Sequence, residues 1–331
     1  MRFNNIVKFG VATLFIIGIF MTLQTNTNIK LDNFDDAWSL GDPVEIEKKL
    51  NELLPQAEIL KDKSIYLQML SQIALTQAMQ QKFEDAHKTL DKAEALLAPE
   101  YVLAKVRILL ERGRVFQQED LLQQAGKLPE ARNYFEQAFE LSKKHNFDLH
   151  TINVAHMIAI IAQAPHDKIK WNKLAIDIAV HTKDEKAKQW FGSLYNNLGQ
   201  NYLEAKEYEL ALPVFEKALE YRKKENYLPN IRVAKWAVGS ALRFLGRFDE
   251  ALATQLELIK EYDEIFKCEK FDMPVEILKV VRGYVYEELA EIYAAKTKVC
   301  AKLAYDDLSN YDIFRKTEPT RLERLKQLIP E

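Results

Sequence analysis

The sequence predicts an all-α protein, built as a right-handed α-solenoid of about six helix hairpins with capping helices. Three observations predict this fold. Only ten glycines and ten prolines occur in 331 residues, and the apolar/polar alternation of strands is scarce. Apolar residues instead recur at spacings of three and four, which is the helical period. Small residues return at matching places in successive segments, which is typical of units that stack on their neighbours.

The composition is that of a soluble, well-packed protein, and the sequence offers no sign of a catalytic centre. Charged residues make up 29% and hydrophobic residues 48% of the chain, with a net charge of -3. A nucleic-acid-binding protein would usually carry a basic stripe, so we expect no nucleic acid among the partners. There is no glycine-rich phosphate loop and no nucleophile elbow, and His145, His150 and His156 lack metal-ligand spacing. We therefore expect no cofactor, no metal and no enzymatic activity.

The first 24 residues are predicted to be a signal peptide or a single-pass membrane anchor. Arg2 and Lys8 precede the uncharged apolar run 9–23, an arrangement typical of export signals. No Ala-x-Ala cleavage site follows, which favours an anchor, whereas the run is short for a spanning helix. The basic start and the acidic residues after the run predict that the remainder is exported. The protein would then be anchored facing the periplasm or the outside, or secreted after cleavage, with a buried core helix as the third alternative.

Residues 25–41 are predicted to be a linker, and residues 42–331 the folded helical repeat domain. Asp42 is a suitable N-cap, Pro43 suits the first helical position, and Glu45 places an acid in the first turn. The first helix is therefore expected to begin here.

The segment 195–218, YNNLGQNYLEAKEYELALPVFEKA, contains one complete helix hairpin. In its first helix the small residue Gly199 lies among large ones such as Tyr202, which suits the close approach of a second helix. Ala211 repeats this arrangement beside Phe215 in the second helix. A single hairpin cannot bury its apolar faces alone, so it needs neighbours along the chain.

Matching segments supply those neighbours. Hairpins are predicted near residues 67–100, 104–145, 148–181, 192–225, 232–265 and 283–315. The third is degenerate, because its second helix near Trp171 has lost the small residues. Residues 319–329 have one apolar and one charged face and are predicted to form a C-terminal capping helix.

The hairpin pattern between about residue 65 and residue 315 resembles the tetratricopeptide repeat. The segments LLERGRVF, AHMIAI and WFGSLYNNLGQNY are similar to a group of bacterial proteins made of such repeats behind an N-terminal signal or anchor. The NNLG element at 196–199 is also similar to the repeats of kinesin light chains, in which paired asparagines face a peptide groove. The resemblance implies a fold directly, but a function only indirectly, because packing residues define the family.

In stacked hairpins, the first helices line a concave surface, and a fixed set of positions in each helix faces inward. We call the residues at these positions the inner-surface set: Arg107, Glu111, Arg114, Asn153, His156, Asn196, Asn197, Gln200, Trp236, Ser240 and Arg243. Amide side chains can pair with the main chain of an extended peptide, and arginines can bind a carboxylate. The alternative interpretation is a solvated polar face, and for His156 a hydrogen-bonded packing residue. Asn196, Asn197 and Trp236 are the residues for which binding is favoured.

The leading hypothesis is a non-enzymatic interaction scaffold or adaptor that binds a peptide or helix of another protein, envelope proteins included, in its concave groove. The alternative is a sensor for a small molecule or peptide, or an assembly factor, with a pocket lined by Arg107, Arg114, His156 and Asn197. Contact with the membrane would be through the N-terminal segment only.

Overall fold

The computed structural model describes residues 29–269, 271–294 and 299–329, and these residues form helices and connecting turns without strands. A short 3-10 segment, Leu31–Leu40, precedes sixteen α-helices. In chain order the α-helices are α1 (Pro43–Glu58), α2 (Ser64–Met79), α3 (Phe83–Ala95), α4 (Val102–Gln123), α5 (Leu128–Lys144), α6 (Asp148–Ile161), α7 (Pro165–His181), α8 (Glu185–Lys188), α9 (Phe191–Glu204), α10 (Tyr208–Glu225), α11 (Leu228–Phe244), α12 (Phe248–Cys268), α13 (Val275–Tyr293), α14 (Val299–Ser309), α15 (Asp312–Thr317) and α16 (Pro319–Leu328).

The described residues divide into two compact units, an N-terminal unit of residues 29–190 and a C-terminal unit of residues 191–329. The N-terminal unit stacks the hairpins α2–α3, α4–α5 and α6–α7, with α1 before them and the short α8 after them. The C-terminal unit stacks α9–α10, α11–α12 and α13–α14, followed by α15 and α16. The predicted all-α fold of about six stacked hairpins with capping helices is confirmed.

Small residues on the first helices allow the two helices of a hairpin to pack closely. A Cβ atom on Gly113 would lie 2.5 Å from the ring of Phe135, and one on Gly199 would lie 2.7 Å from the ring of Phe215. Both rings are fully buried between the helices. The pattern of small and large residues in the sequence therefore encodes the close contact of these two hairpins, α4–α5 and α9–α10.

The turns between first and second helices use a left-handed residue at the helix end. Gln81, Lys206 and Gly246 have φ of 64°, 62° and 74°. In each case the N–H of the next residue donates to the carbonyl of the residue five positions earlier, at 2.8 to 2.9 Å. This is the Schellman arrangement, which satisfies carbonyl groups that the helix end would otherwise leave unpaired.

The first α-helix begins where the sequence predicts. The Asp42 carboxylate accepts a hydrogen bond from the N–H of Val44 at 2.8 Å, and Pro43 occupies the first helical position. The last hairpin differs from the prediction, because α14 ends at Ser309, short of residue 315, and the separate helix α15 follows.

Residues 29–41 are not a free linker, and this part of the prediction is wrong. Ile29, Phe34 and Ala37 are buried in the same hydrophobic core as α1 to α4. The sequence predicted a tether here, because the folded region was expected to begin at the N-cap Asp42. These three residues nevertheless pack against the helices, and the burial of their apolar surface favours docking of the segment.

The predicted signal or anchor, residues 1–24, lies outside the described residues. Within the part of the chain that the structure describes, no helix has the length and apolar character needed to cross a membrane.

Candidate functional site

In the N-terminal unit, the inner-surface set lies where consecutive first helices meet. The Gln72 amide on α2 donates to Glu111 on α4 at 3.3 Å. Arg114, also on α4, donates to Glu111 at 3.0 Å and to the amide oxygen of Asn153 on α6 at 2.6 Å. Glu111 is only 2% exposed. These side chains thus join α2, α4 and α6 to one another and are already paired.

Arg107 on α4 is paired with the segment that the sequence predicted to be a linker. Its guanidinium forms a two-pronged contact with the Asp35 carboxylate, with one N–H···O distance of 2.8 Å. The ring of Phe34 lies 5.2 Å from the guanidinium carbon. Burial acts to raise the pKa of Asp35, but the charge and hydrogen bonds of Arg107 outweigh it and the pKa is lowered. Arg107 therefore carries an anionic partner supplied by the chain itself.

His156 is a packing residue. Its side chain is fully buried, and its ring lies 5.4 Å from the ring of Trp190 in a tilted, edge-on contact. Burial, helped by the nearby charge of Arg114, lowers the imidazole pKa to about 3, so His156 is neutral at physiological pH. The expectation that His156 faces a ligand is wrong, whereas the alternative of a packing residue fits, because Trp190 covers it.

In the C-terminal unit, three members of the inner-surface set pair with α13. The Trp236 indole donates to the carbonyl of Tyr284 at 3.2 Å. Ser240 donates to the Glu288 carboxylate at 3.1 Å, and Arg243 donates to the same carboxylate at 2.6 Å. Trp236 is predicted to be a binding residue, but in the structure it is half-buried and packs against Tyr284. It joins first helices, as Glu111 does.

The remaining three members lie together on α9. Asn196 is only 4% exposed, and Asn197 and Gln200 are half-buried on the same helix. The Asn196 side-chain oxygen accepts no hydrogen bond from any described residue. A buried amide oxygen without a donor costs about 1–3 kcal/mol, so this atom stands apart from the paired residues above.

The sequence did not identify Asp35, Gln68 or Gln72 as members of these networks. A signal was present for the two glutamines, because each lies 39 residues before its partner on α4, the spacing of one repeat. Asp35 carried no such signal, since it lies outside the repeats. Among the described residues no group of histidine, cysteine and carboxylate side chains is arranged to hold a metal ion.

Two family models for the tetratricopeptide repeat match the chain, at residues 190–260 and 120–146. A search of curated protein sequences found no match.

Solved structures with the same fold have low sequence identity. The apo form of RapI is 14% identical, with 89% of this chain and 83% of that chain covered and a TM-score of 0.60. A Rap protein complexed with Competence and Sporulation Factor is 15% identical, with 96% and 91% covered and a TM-score of 0.51. A signal transduction ATPase with numerous domains (STAND) from Pyrococcus horikoshii, which has a tetratricopeptide repeat sensor, is 17% identical. The match covers 90% of this chain and 44% of the ATPase chain, with a TM-score of 0.58.

The family matches and the similar structures agree with the stacked helix hairpins described above. The chain therefore contains tetratricopeptide repeats, matched at residues 120–146 and 190–260, within an all-α solenoid.

Proposed function

We propose that this protein is a non-enzymatic interaction scaffold, and that it binds an extended peptide or a helix of a partner protein on the α9 surface around Asn196. Tetratricopeptide repeats stack into extended surfaces suited to such segments. One of the similar structures, a Rap protein, is a complex with Competence and Sporulation Factor. That complex supports a binding role for the fold, and the partner of this chain is a separate question.

The observation that carries the proposal is the unpaired side-chain oxygen of Asn196. A main-chain N–H of a bound peptide would supply the missing donor and offset the cost of burying this oxygen. Asn197 and Gln200, half-buried on the same helix, add amide groups next to it. The polar groups of α9 would thus lie along the backbone of the bound peptide. They would recognise the main chain of the peptide rather than its side chains.

Two other buried amides, Asn172 and Gln255, also have an unpaired oxygen. Both lie on second helices, and each donates its N–H to a main-chain carbonyl at 3.2 Å, Asn172 to Lys168 and Gln255 to Trp236. Their positions within hairpin packing make them structural. Asn172 therefore provides a matched control for Asn196.

Site-specific photo-crosslinking tests the proposal. A photoreactive amino acid at Gln200, on α9, should crosslink a partner protein in cells, whereas the same amino acid at the exposed Glu216 of α10 should not. Adding Asn196→Ala should reduce the crosslinked product by about 3- to 10-fold, the effect of one hydrogen bond. Asn172→Ala should leave the yield unchanged, with thermal melts showing that both variants are folded. Equal yields from Gln200 and Glu216, or equal effects of the two alanine variants, would contradict the proposal.

The small-molecule alternative is not favoured. Arg107 and Arg114 are engaged by Asp35 and Glu111, and His156 is buried beneath Trp190. These three residues would have to leave existing contacts before they could line a pocket.

We also propose, on the sequence alone, that residues 1–24 direct export of the protein, with envelope proteins as candidate partners. Cell fractionation combined with N-terminal sequencing of the mature chain tests this. A cytoplasmic chain that begins at Met1 would contradict it.

A further inference from the structure

The segment Leu31–Leu40 is attached to the first helices of two hairpins by specific polar contacts. The Trp38 indole donates to the Gln72 side chain on α2 at 2.9 Å. The Asp35 carboxylate accepts two hydrogen bonds from Arg107 on α4. Phe34 and Ala37 are buried between these contacts. The segment thus lies on the surface that the sequence predicted to be a groove for a partner.

These contacts have the chemistry of peptide recognition. An aromatic ring stacks under a guanidinium, a carboxylate pairs with the same guanidinium in a two-pronged geometry, and an indole N–H binds an amide oxygen. The residues that bind, Gln72 and Arg107, belong to the repeats, and those that are bound belong to a stretch outside the repeats. The segment therefore occupies the surface as a ligand would.

Three features indicate that this occupant can leave while the hairpins stay folded. The segment is 3-10 rather than α-helical, and it is interrupted at Asn33, whose φ of -128° and ψ of 35° are not helical. Gly41, with φ of 75° and open space where a Cβ atom would lie, connects it to α1 without side-chain packing. The Asp35 side chain is 52% exposed, whereas that of Arg107 is 10% exposed.

The departure of the segment would leave Arg107 without a carboxylate. Asp35 is its ion-pair partner among the described residues, and the guanidinium also donates a hydrogen bond there to the Gln68 amide oxygen at 3.4 Å. An arginine that is largely buried favours an anionic partner over none. The vacated surface would thus select a segment that carries a carboxylate next to an aromatic ring.

We propose that Gln68, Gln72 and Arg107 form a peptide-docking site that the chain's own residues 31–40 occupy as a built-in ligand. A partner segment with a Phe-Asp pair and a Trp three residues after the Asp, as in Phe34, Asp35 and Trp38, would compete for it. This site lies in the N-terminal unit and does not depend on the Asn196 surface, because the variants below leave α9 unchanged.

The test uses the full-length protein and a fluorescently labelled synthetic peptide of residues 29–41, with binding measured by fluorescence anisotropy. The wild-type chain should bind the peptide weakly, because its own segment occupies the site. The Phe34→Ala/Asp35→Ala variant should bind it at least tenfold more tightly, and adding Arg107→Ala should abolish the gain. A control peptide with Asn in place of Asp35 should bind the variant at least tenfold less tightly. Equal affinity of wild type and variant, or no effect of Arg107→Ala, would overturn the proposal.

Hydrogen exchange of the wild-type chain provides a second measurement, which does not depend on the folding of any variant. The amides of residues 31–40 should exchange faster than those of α2 and α4, and an excess of the unlabelled peptide should accelerate them selectively. If residues 31–40 exchange only together with α2 and α4, the segment is a fixed part of the core and the proposal fails.

Discussion

At the scale of single residues, neighbouring positions on a first helix have different roles. Glycines such as Gly113 and Gly199 receive the aromatic ring of the second helix. Polar residues on the adjoining face, such as Glu111, contact a neighbouring first helix. Asn196 differs from these, because its side-chain oxygen is buried and unpaired within the described structure. Burial together with pairing thus separates packing residues from a candidate binding residue.

Gly113→Ala should destabilise the protein by about 1–3 kcal/mol, because the new methyl group overlaps the Phe135 ring. Replacing the ring by a smaller side chain should relieve the overlap, so Gly113→Ala combined with Phe135→Leu should cost less than the sum of the two single changes. Urea unfolding of the four proteins in this cycle measures the difference. Strict additivity would show that the close approach of α4 and α5 is not the cause.

His156 should make stability fall as the pH is lowered. Its pKa is about 3 in the folded chain and near 6.5 in the unfolded chain, so below pH 6.5 the unfolded state binds more protons and gains stability. The resulting loss should be about 2 kcal/mol between pH 7 and pH 5. His150, whose pKa burial and Arg107 lower to about 4, adds a similar contribution.

Unfolding free energies at pH 7 and pH 5 test this for wild type and His156→Phe. The variant should lose about 2 kcal/mol less than the wild type over this interval, while the His150 contribution stays in both proteins. An identical loss in the two proteins would mean that His156 is not buried in its neutral form.

At the scale of elements, charged contacts between first helices continue into the C-terminal capping helix. Arg321 on α16 pairs with Glu287 on α13 at 2.8 Å, and both side chains are 6% exposed. The guanidinium carbon of Arg321 also lies 4.9 Å from the Tyr284 ring. The capping helix was predicted from its solvent-facing charges, yet Arg321 faces the protein. This helix is therefore held by a buried ion pair as well as by apolar contact.

Arg321→Met should destabilise the C-terminal unit by about 3–5 kcal/mol, because it leaves the buried Glu287 with Arg324 alone and removes the cation beside the buried Glu318. The double variant Arg321→Met/Glu287→Met should be less destabilised than the sum of the single variants, since it removes both members of the direct pair and keeps the volume filled, while Glu318 and Arg324 stay in place in every variant. Chemical unfolding monitored by circular dichroism distinguishes them. A double variant as unstable as the sum of the singles would contradict a direct pair.

At the scale of the whole molecule, the described residues offer surfaces made of helices. Arg107 and Arg114, two of the residues predicted to line a small-molecule pocket, have partners of their own, Asp35 and Glu111 respectively. The fold therefore favours partners that are themselves polypeptides, which can follow a series of helices.

A thermal-shift screen against a metabolite panel should give no significant stabilisation of the full chain, since a preformed pocket would raise the melting temperature. The partner identified by crosslinking, added in excess, should raise it. Stabilisation by one metabolite that is lost in Arg114→Ala would favour the sensor alternative instead.

The sequence by itself determined the repeat. Helical period, small residues opposite large ones and the turn residues all act within one hairpin, so a local pattern specifies them, as at Gly199 and Phe215. It could not determine the state of the inner-surface set. A polar residue on a helix face is equally compatible with water, a ligand or a partner 39 residues away, which is the separation between Arg114 and Asn153. Only the tertiary structure showed which of these applies, because it brought Arg114 to Asn153 and Asp35 to Arg107.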